Sequence, residues 1–396
     1  MKFNIPLFKV YMSEDAPNKA SDVLKSGFIG QGPVVDQFEG KLKDFFNNDH
    51  VASVNSATSA EHLALHMLKK PAINVVDGFG GLAYFNSKWP GLQDGDEVLA
   101  TPLTCTATNF PILANNLKIK WVDIDPKTLN MDLDDLARKI TPKTKVIFLV
   151  HWGGYPLDLD KLKEIQRQAE HNFGFKPAII EDCAHALGSK FNGKVIGSHG
   201  NICTFSFQAI KHLTSGDGGA LVLPHKELYN RAKLLRWYGI DRESDRKDFR
   251  CEDDIPEWGF KFHMNDISAS IGMANLAEVQ ENVIDKHISN GKYYDEALKD
   301  VEGVTLLERD DRMESSYWIY SLLVEDKNRF AAYMKECGIA TSQVHERNDI
   351  HSCLTEFRSI LPNLDNIKNR LTAIPVGWWV TEEQREYIIE CIKKGW

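Results

Sequence analysis

The stretch F-S-F-Q-A-I-K-H-L-T-S-G-D-G-G-A-L, residues 205–221, decides how this chain is read, together with I-I-E-D-C-A-H-A-L-G-S at 179–189. In the first, Lys211 stands just after a short β-type run and just before a turn rich in glycine (Gly216, Gly218, Gly219). In the second, Asp182 ends an apolar strand and His185 follows three residues later. Each residue alone says little, since an aspartate at a strand end is equally a helix N-cap and a Gly-rich turn serves many purposes. Together they form the pair that pyridoxal phosphate chemistry requires. A lysine amine forms the Schiff base, and a carboxylate keeps the pyridine nitrogen protonated so that the ring withdraws electrons. His185 is placed to donate to the phenolic oxygen of such a cofactor.

Working outward, β-rich runs alternate with amphipathic segments from about residue 51 to 223. Val51 to Val54, Glu97 to Ala100, Ile119 to Ile124, Lys145 to Val150, Ala178 to Glu181, Ile202 to Ser206 and Ala220 to Leu223 read as strands. Segments 58–69, 132–139 and 160–171 carry apolar residues at helical spacing. This alternation predicts an α/β unit with a largely parallel sheet. Asp182 then lies where ligands sit in open α/β sheets, beyond the carboxyl end of a strand. The segment N-S-A-T-S at 55–59 follows a strand and opens a helix, so Ala57, Thr58 and Ser59 can offer N–H groups and hydroxyls to a phosphate. Ser206 offers another hydroxyl.

A charged, irregular stretch at 241–254 interrupts the alternation. It divides a large unit, residues 12–250, from a smaller C-terminal α+β unit, residues 251–396. The second unit has helical segments near 264–299, strands at Thr305 to Leu307 and Tyr317 to Val324, and a closing helix near 381–394. Residues 71–93, between Pro71 and Pro90, show no clear period and read as an insertion. Trp378 and Trp379 read as core or interface residues.

The 396-residue chain is 43% hydrophobic, enough for a large core. Its net charge of −9 argues against nucleic acid as the main partner. Seven scattered cysteines without a C-x-x-C pair suit reduced thiols and give neither a disulfide framework nor a metal site. The first residues, broken by Pro6 and Lys9, lack the apolar run of a signal peptide, and no run is long enough to span a bilayer. A cytoplasmic protein is expected.

Several motifs, in one order along nearly the whole chain, resemble the DegT/DnrJ/EryC1/StrS family of pyridoxal phosphate-dependent aminotransferases. They are S-G-F-I-G-Q-G-P at 26–33, V-N-S-A-T-S-A-E-H-L-A-L at 54–65, G-D-E-V-L-A-T-P-L-T-C-T-A-T-N at 95–109, V-H-W-G-G-Y-P at 150–156, the two opening stretches, and G-F-K-F-H-M-N-D-I-S-A-S-I-G at 259–272. The resemblance implies fold type I, the aspartate-aminotransferase-like architecture, and an enzyme that moves an amino group onto a nucleotide-linked keto sugar through a pyridoxamine form. It makes Lys211 the Schiff-base lysine, pairs Asp182 with the pyridinium nitrogen and sets His185 by the phenolic oxygen. Thr58, Ser59 and Ser206 hold the phosphate, and Lys261 reaches the site of a second subunit in a homodimer.

Two positions depart from the family pattern. Cys105 stands where an aromatic residue usually stacks on the cofactor ring, and Ala57 stands where the phosphate turn usually has glycine. By the same resemblance, His345, Arg347 and Asn348 fall where the sugar nucleotide is contacted, with Arg347 the best diphosphate partner by geometry. His151 and Trp152, in the V-H-W-G-G-Y-P segment, fall beside the acceptor carbonyl. That segment resembles the V-H-Y-A-G form of C4-aminating members more than the V-H-L-Y-G form of C3-aminating ones. The expectation is transfer from L-glutamate to C4 of a 4-keto-6-deoxy hexose. The alternatives are a C3 or cyclitol aminotransferase, a sugar dehydratase (which generally replaces the lysine with histidine) and a cofactor-binding regulator.

Overall fold

A computed structural model describes residues 3–69, 91–243 and 254–396. Its main sheet has seven strands in the order β1-β9-β8-β5-β4-β2-β3. They are β1 Val51–Val54, β2 Glu97–Ala100, β3 Lys118–Trp121, β4 Thr144–Val150, β5 Ala178–Asp182, β8 Ile202–Ser206 and β9 Gly219–Val222, with two-residue strands β6 Lys190–Phe191 and β7 Lys194–Val195 outside the sheet. The pairings β8–β5, β5–β4, β4–β2 and β2–β3 are parallel, while β9 runs antiparallel to both β1 and β8. The sheet is therefore mainly parallel, as the alternation predicts, and β9 makes it mixed. Its central strands are buried on both faces, which is why β4 and β5 read as nearly unbroken apolar runs.

Helices cover the two faces. α1 (Ala16–Ser26) and α2 (Pro33–Phe46) lie on one side with the helix Asp266–Leu276, while α3 (Ala57–Lys69) lies with the helix Thr106–Ala114. Two core clusters fill these layers, one around Val54, Leu63, Phe148 and Ile180, the other around Phe38, Leu149, Ile179 and Phe205.

A third cluster belongs to the smaller unit and gathers Tyr294, Leu322, Phe330, Ile374 and Ile388. It packs on a three-stranded antiparallel sheet, β10 Val304–Leu306, β12 Tyr320–Val324 and β13 Leu371–Ile374; β11 Met313–Glu314 pairs instead with β6. The expected junction at 250/251 falls outside the described residues, as does most of the 71–93 insertion. The helix Asp266–Leu276 packs with α1 and α2, while the helix Asp285–Ala297 contributes Tyr294 to the third cluster. Ile5 joins that third cluster too, pairing with Ile339. Trp378 and Trp379 donate to the carbonyls of Lys9 and Pro6, which pins the N-terminal segment to the small unit.

Candidate active site

A cavity of about 440 Å³ opens at the carboxyl ends of β5 and β8, between the main sheet and the smaller unit. Asp182, at the end of β5, and Lys211, in the turn after β8, both face it. Ser56, Ala57 and Thr58 bring the start of α3 to the same space, and Phe8, Trp318 and His345 close it from the other side. A larger groove of about 590 Å³ lies elsewhere; its charged groups, such as Arg312 with Asp158 and Asp310, satisfy one another.

Asp182 is buried and held at both oxygens. The Thr108 hydroxyl donates to Oδ2 at 2.7 Å, and the Ala184 N–H donates to Oδ1 at 2.9 Å. Thr104 and Thr108 share a hydrogen bond of 2.8 Å; because Thr108 gives its one proton to the carboxylate, Thr104 must be the donor to Thr108. The relay fixes the carboxylate toward the cavity.

The Lys211 amine lies 3.5 Å from the centre of the Trp318 ring. Burial pushes it down to about 8, against the opposing pull of Asp182. A lysine so placed is partly neutral at physiological pH, which is the form that attacks a carbonyl. His185 stacks on the other part of the same wall: its ring is 3.9 Å from Trp318 and 5.5 Å from the nearly parallel ring of His345. Burial and the charge of Lys211 hold His185 well below the usual imidazole range. The Gly153 N–H points at its Nδ1 at 3.4 Å, so its proton is on Nε2. Gly154 is required here, because it holds φ +94 and a Cβ on it would sit 2.8 Å from the His185 carbonyl.

The start of α3 presents helix N–H groups to the cavity. Ser56, not Ser59, lines it: the Ser59 N–H is capped by the Ser56 hydroxyl at 3.1 Å, and the two hydroxyls bond at 3.0 Å. The sequence reading named Ser59 and passed over Ser56, one position outside the helix. Ala57 begins the helix with no positive φ, so alanine is at ease there. Gly219 lies behind it; a Cβ at Gly219 would fall 2.6 Å from the Ala57 nitrogen. Ser206 lines the same end.

Cys105 is part of the wall, immediately before the helix Thr106–Ala114. The aromatic surface comes instead from His185, Trp318, His345 and Phe8. Sequence reasoning missed Trp318 because it arrives from the smaller unit, and nothing in S-S-Y-W at 315–318 marks it. It also missed Glu61, which lines the cavity from α3 at 1% exposure. Burial and the nearby Asp182 raise the Glu61 carboxyl well above the usual range.

Other expected residues are placed differently. His151 is fully buried outside the cavity, its Nε2 bonded to Glu181 at 2.8 Å, while its Nδ1 accepts from the Leu157 N–H at 3.0 Å. Because Nδ1 is an acceptor, the proton is on Nε2 and is donated to Glu181. Asn201 donates to the other Glu181 oxygen. Cys183 lies close enough to complete a metal-type triad, but the carboxylate and both ring nitrogens are already engaged. Trp152 is buried behind the wall, edge-on to His185 and His345, with its indole N–H on Ser321. Arg347 does not reach the cavity either: its guanidinium grips Asp349 through two bonds and reaches Asp365. Asn348 ties its segment to the Cys105 carbonyl at 3.3 Å. Of the 345–348 group, His345 alone lines the space. Lys261 is exposed and away from it.

A phosphorylated pyridine aldehyde fits this set. An oriented carboxylate, a lowered lysine amine, a helix N-terminus with hydroxyls and an aromatic wall supply each of its polar groups with a partner.

Residues 10–393 match the model of the DegT/DnrJ/EryC1/StrS aminotransferase family. The chain is 47% identical to AtS13 from Actinomadura melliaura, with a TM-score of 0.91 and 100% of each chain covered. It is 44% identical to the sugar aminotransferase CalS13 from Micromonospora echinospora, with a TM-score of 0.90, covering 99% of this chain and 100% of that one. It is 30% identical to a dTDP-4-dehydro-2,3,6-trideoxy-D-glucose 4-aminotransferase of Saccharopolyspora spinosa, over 85% of this chain and 83% of the relative. A further solved relative is known in forms with pyridoxal phosphate and with pyridoxamine phosphate.

Proposed function

We propose, since this chain belongs to the DegT/DnrJ/EryC1/StrS aminotransferase family, that it moves the amino group of L-glutamate to C4 of a nucleotide-linked 4-keto-6-deoxy hexose. The protein is a pyridoxal phosphate-dependent sugar aminotransferase; the carbon, the sugar and the donor are the proposal. The C4 reading rests on the V-H-W-G-G-Y-P segment, whose Trp152 backs the cavity beside His185 and His345. The C4 activity named for the Saccharopolyspora spinosa relative supports it.

When bound, the cofactor supplies an electron-withdrawing ring that stabilises negative charge at the carbon losing its proton. This chain supplies the rest. Lys211 would hold the aldehyde carbon and, as an amine lowered by burial, would carry the proton between the amino-acid Cα and that carbon. Asp182 keeps the ring nitrogen protonated. His185 holds the phenolic oxygen, while Ser56, Thr58, Ser206 and the start of α3 take the phosphate. Cys105 and His345, both in the cavity wall, would flank the cofactor ring and the acceptor.

We extend the proposal to a homodimer in which the exposed Lys261 reaches the partner's cofactor site, and to a cytoplasmic setting, which the unpaired state of the six described cysteines suits. The test of the substrate is turnover with L-glutamate and a panel of dTDP-, UDP- and GDP-linked 3-keto and 4-keto sugars, with the product carbon assigned by NMR. Amination at C4 is expected. Turnover only on 3-keto sugars overturns the C4 reading, and turnover only on a cyclitol ketone overturns the nucleotide sugar. Mixing inactive Lys211→Ala and Lys261→Ala subunits should restore partial activity; failure of the two folded variants to complement removes the shared site.

A further inference from the structure

Glu61 is a buried acid that the chemistry above leaves without a task. It sits one turn into α3, on the same side as Ala57 and Thr58, and lines the cavity at 1% exposure. Its Oε2 has no hydrogen-bond partner at normal distance. A buried carboxyl with an idle oxygen is costly unless something meets it. The groups acting on Glu61 are Asp182 from the end of β5, Cys105 from the loop before the helix Thr106–Ala114, and Lys211 from the turn after β8. Asp182 is the acceptor among them, and two of its lone pairs are already filled by Thr108 and Ala184. Two buried carboxyls that line one cavity and act on each other do not both stay ionised. Asp182 has the fixed donors that favour its charged form, so the proton belongs to Glu61.

We propose that Glu61 is a neutral hydrogen-bond donor to Asp182, a positioning residue that moderates how strongly Asp182 holds the proton on the cofactor's ring nitrogen. The inference rests on the cofactor assignment and is independent of which sugar is aminated. A third donor on Asp182 spreads its charge and weakens its grip on the pyridinium. Without Glu61, one donor fewer shares the charge of Asp182 and the protonated ring is bound more tightly.

The experiment compares two ligands that do not couple to Lys211: pyridoxamine 5′-phosphate, and the analogue whose ring nitrogen is replaced by C–H. Their dissociation constants are measured by calorimetry on the cofactor-free protein. In Glu61→Leu the preference for the natural ring should rise about tenfold, the worth of one hydrogen bond to a charged group. In Glu61→Gln, which keeps a neutral donor, the wild-type preference should persist. A merely structural Glu61 would change both ligands equally and leave the ratio alone, which overturns the proposal. An ionised Glu61 would make the preference fall in both variants, which overturns it as well.

Infrared spectroscopy of the cofactor-free protein at neutral pH gives a second reading, needed if Glu61→Leu does not fold. A protonated-acid carbonyl band should be present in the wild type and lost in Glu61→Gln; its absence from the wild type refutes the neutral donor. If neither ligand binds the wild type, the cofactor assignment fails, while the infrared result still judges the state of Glu61.

Discussion

Glu181 and Asp182 are adjacent on β5, and their side chains leave the strand in opposite directions. Both are buried carboxylates. Glu181 points into a closed layer where His151 and Asn201 meet both of its oxygens. Asp182 points into a cavity, is fixed by Thr108 and Ala184, and retains lone pairs toward the open space. The closed group rigidifies the sheet and the open one is available to a ligand. Burial and charge alone do not separate a structural acid from a working one; the location of the remaining hydrogen-bonding capacity does.

The largest test of this contrast is on the cavity side. Lys211→Ala should abolish transamination and the visible absorption of attached cofactor while the circular dichroism stays native; residual turnover would break the assignment of the amine. Next, Asp182→Asn should lower kcat/KM on the order of 10³-fold, because the neutral amide no longer holds the ring proton. Near-normal turnover in that variant would remove Asp182 from the mechanism.

On the closed side, Glu181→Ala should cost about 2–5 kcal/mol in denaturant unfolding, since it strands the buried donors of both His151 and Asn201. The activity of each folded molecule should change little. The pH dependence follows from the same packing. Burial by itself raises Glu181, but the hydrogen bonds from His151 and Asn201 outweigh it and leave the carboxyl below its ordinary value of 4.5. A lowered carboxylate stabilises the fold above that ordinary value, and the contribution is lost as pH falls through the lower folded value. Acid unfolding of Glu181→Gln should therefore be less steep than that of the wild type.

A smaller effect lies in the lysine. With Lys211 pushed down to about 8, capture of the aldehyde cofactor by the cofactor-free protein should quicken as pH rises and level off above about 8. The neutral amine is the reactive form and its fraction grows with pH. A rate still climbing steeply well above that point would contradict the burial of this amine. The smallest effect is expected at Arg347. Because its guanidinium is engaged by Asp349 and Asp365, Arg347→Ala should lose about 1–3 kcal/mol of stability. The KM for the sugar nucleotide should change less than about threefold; a large rise would place Arg347 in the substrate site after all.

The sequence was most legible where local chemistry and position coincide. A buried strand ending in Asp182, a helix opening after β1 and a lysine in the turn after β8 show their place at the cavity in short segments, since strand ends and helix starts project their groups to predictable places. It was misleading at His151, whose motif position suggested the acceptor while its ring turned toward Glu181. Arg347 misled for the same reason: Asp349 is visible two residues away, but Asp365 approaches only through the fold.

By itself, the sequence determined the largely parallel sheet, the order of its elements and the placing of Asp182 and Lys211 at strand ends, because periodicity and turn chemistry act over a few residues. Tertiary structure decided which side chains share the cavity. Trp318 reaches Lys211 across about a hundred residues of chain, and Glu61 comes to the cavity that Asp182 lines only when α3 packs against β8 and β9. Which face of a buried strand or helix meets solvent-sized space is set by packing between layers, a property that no local pattern encodes.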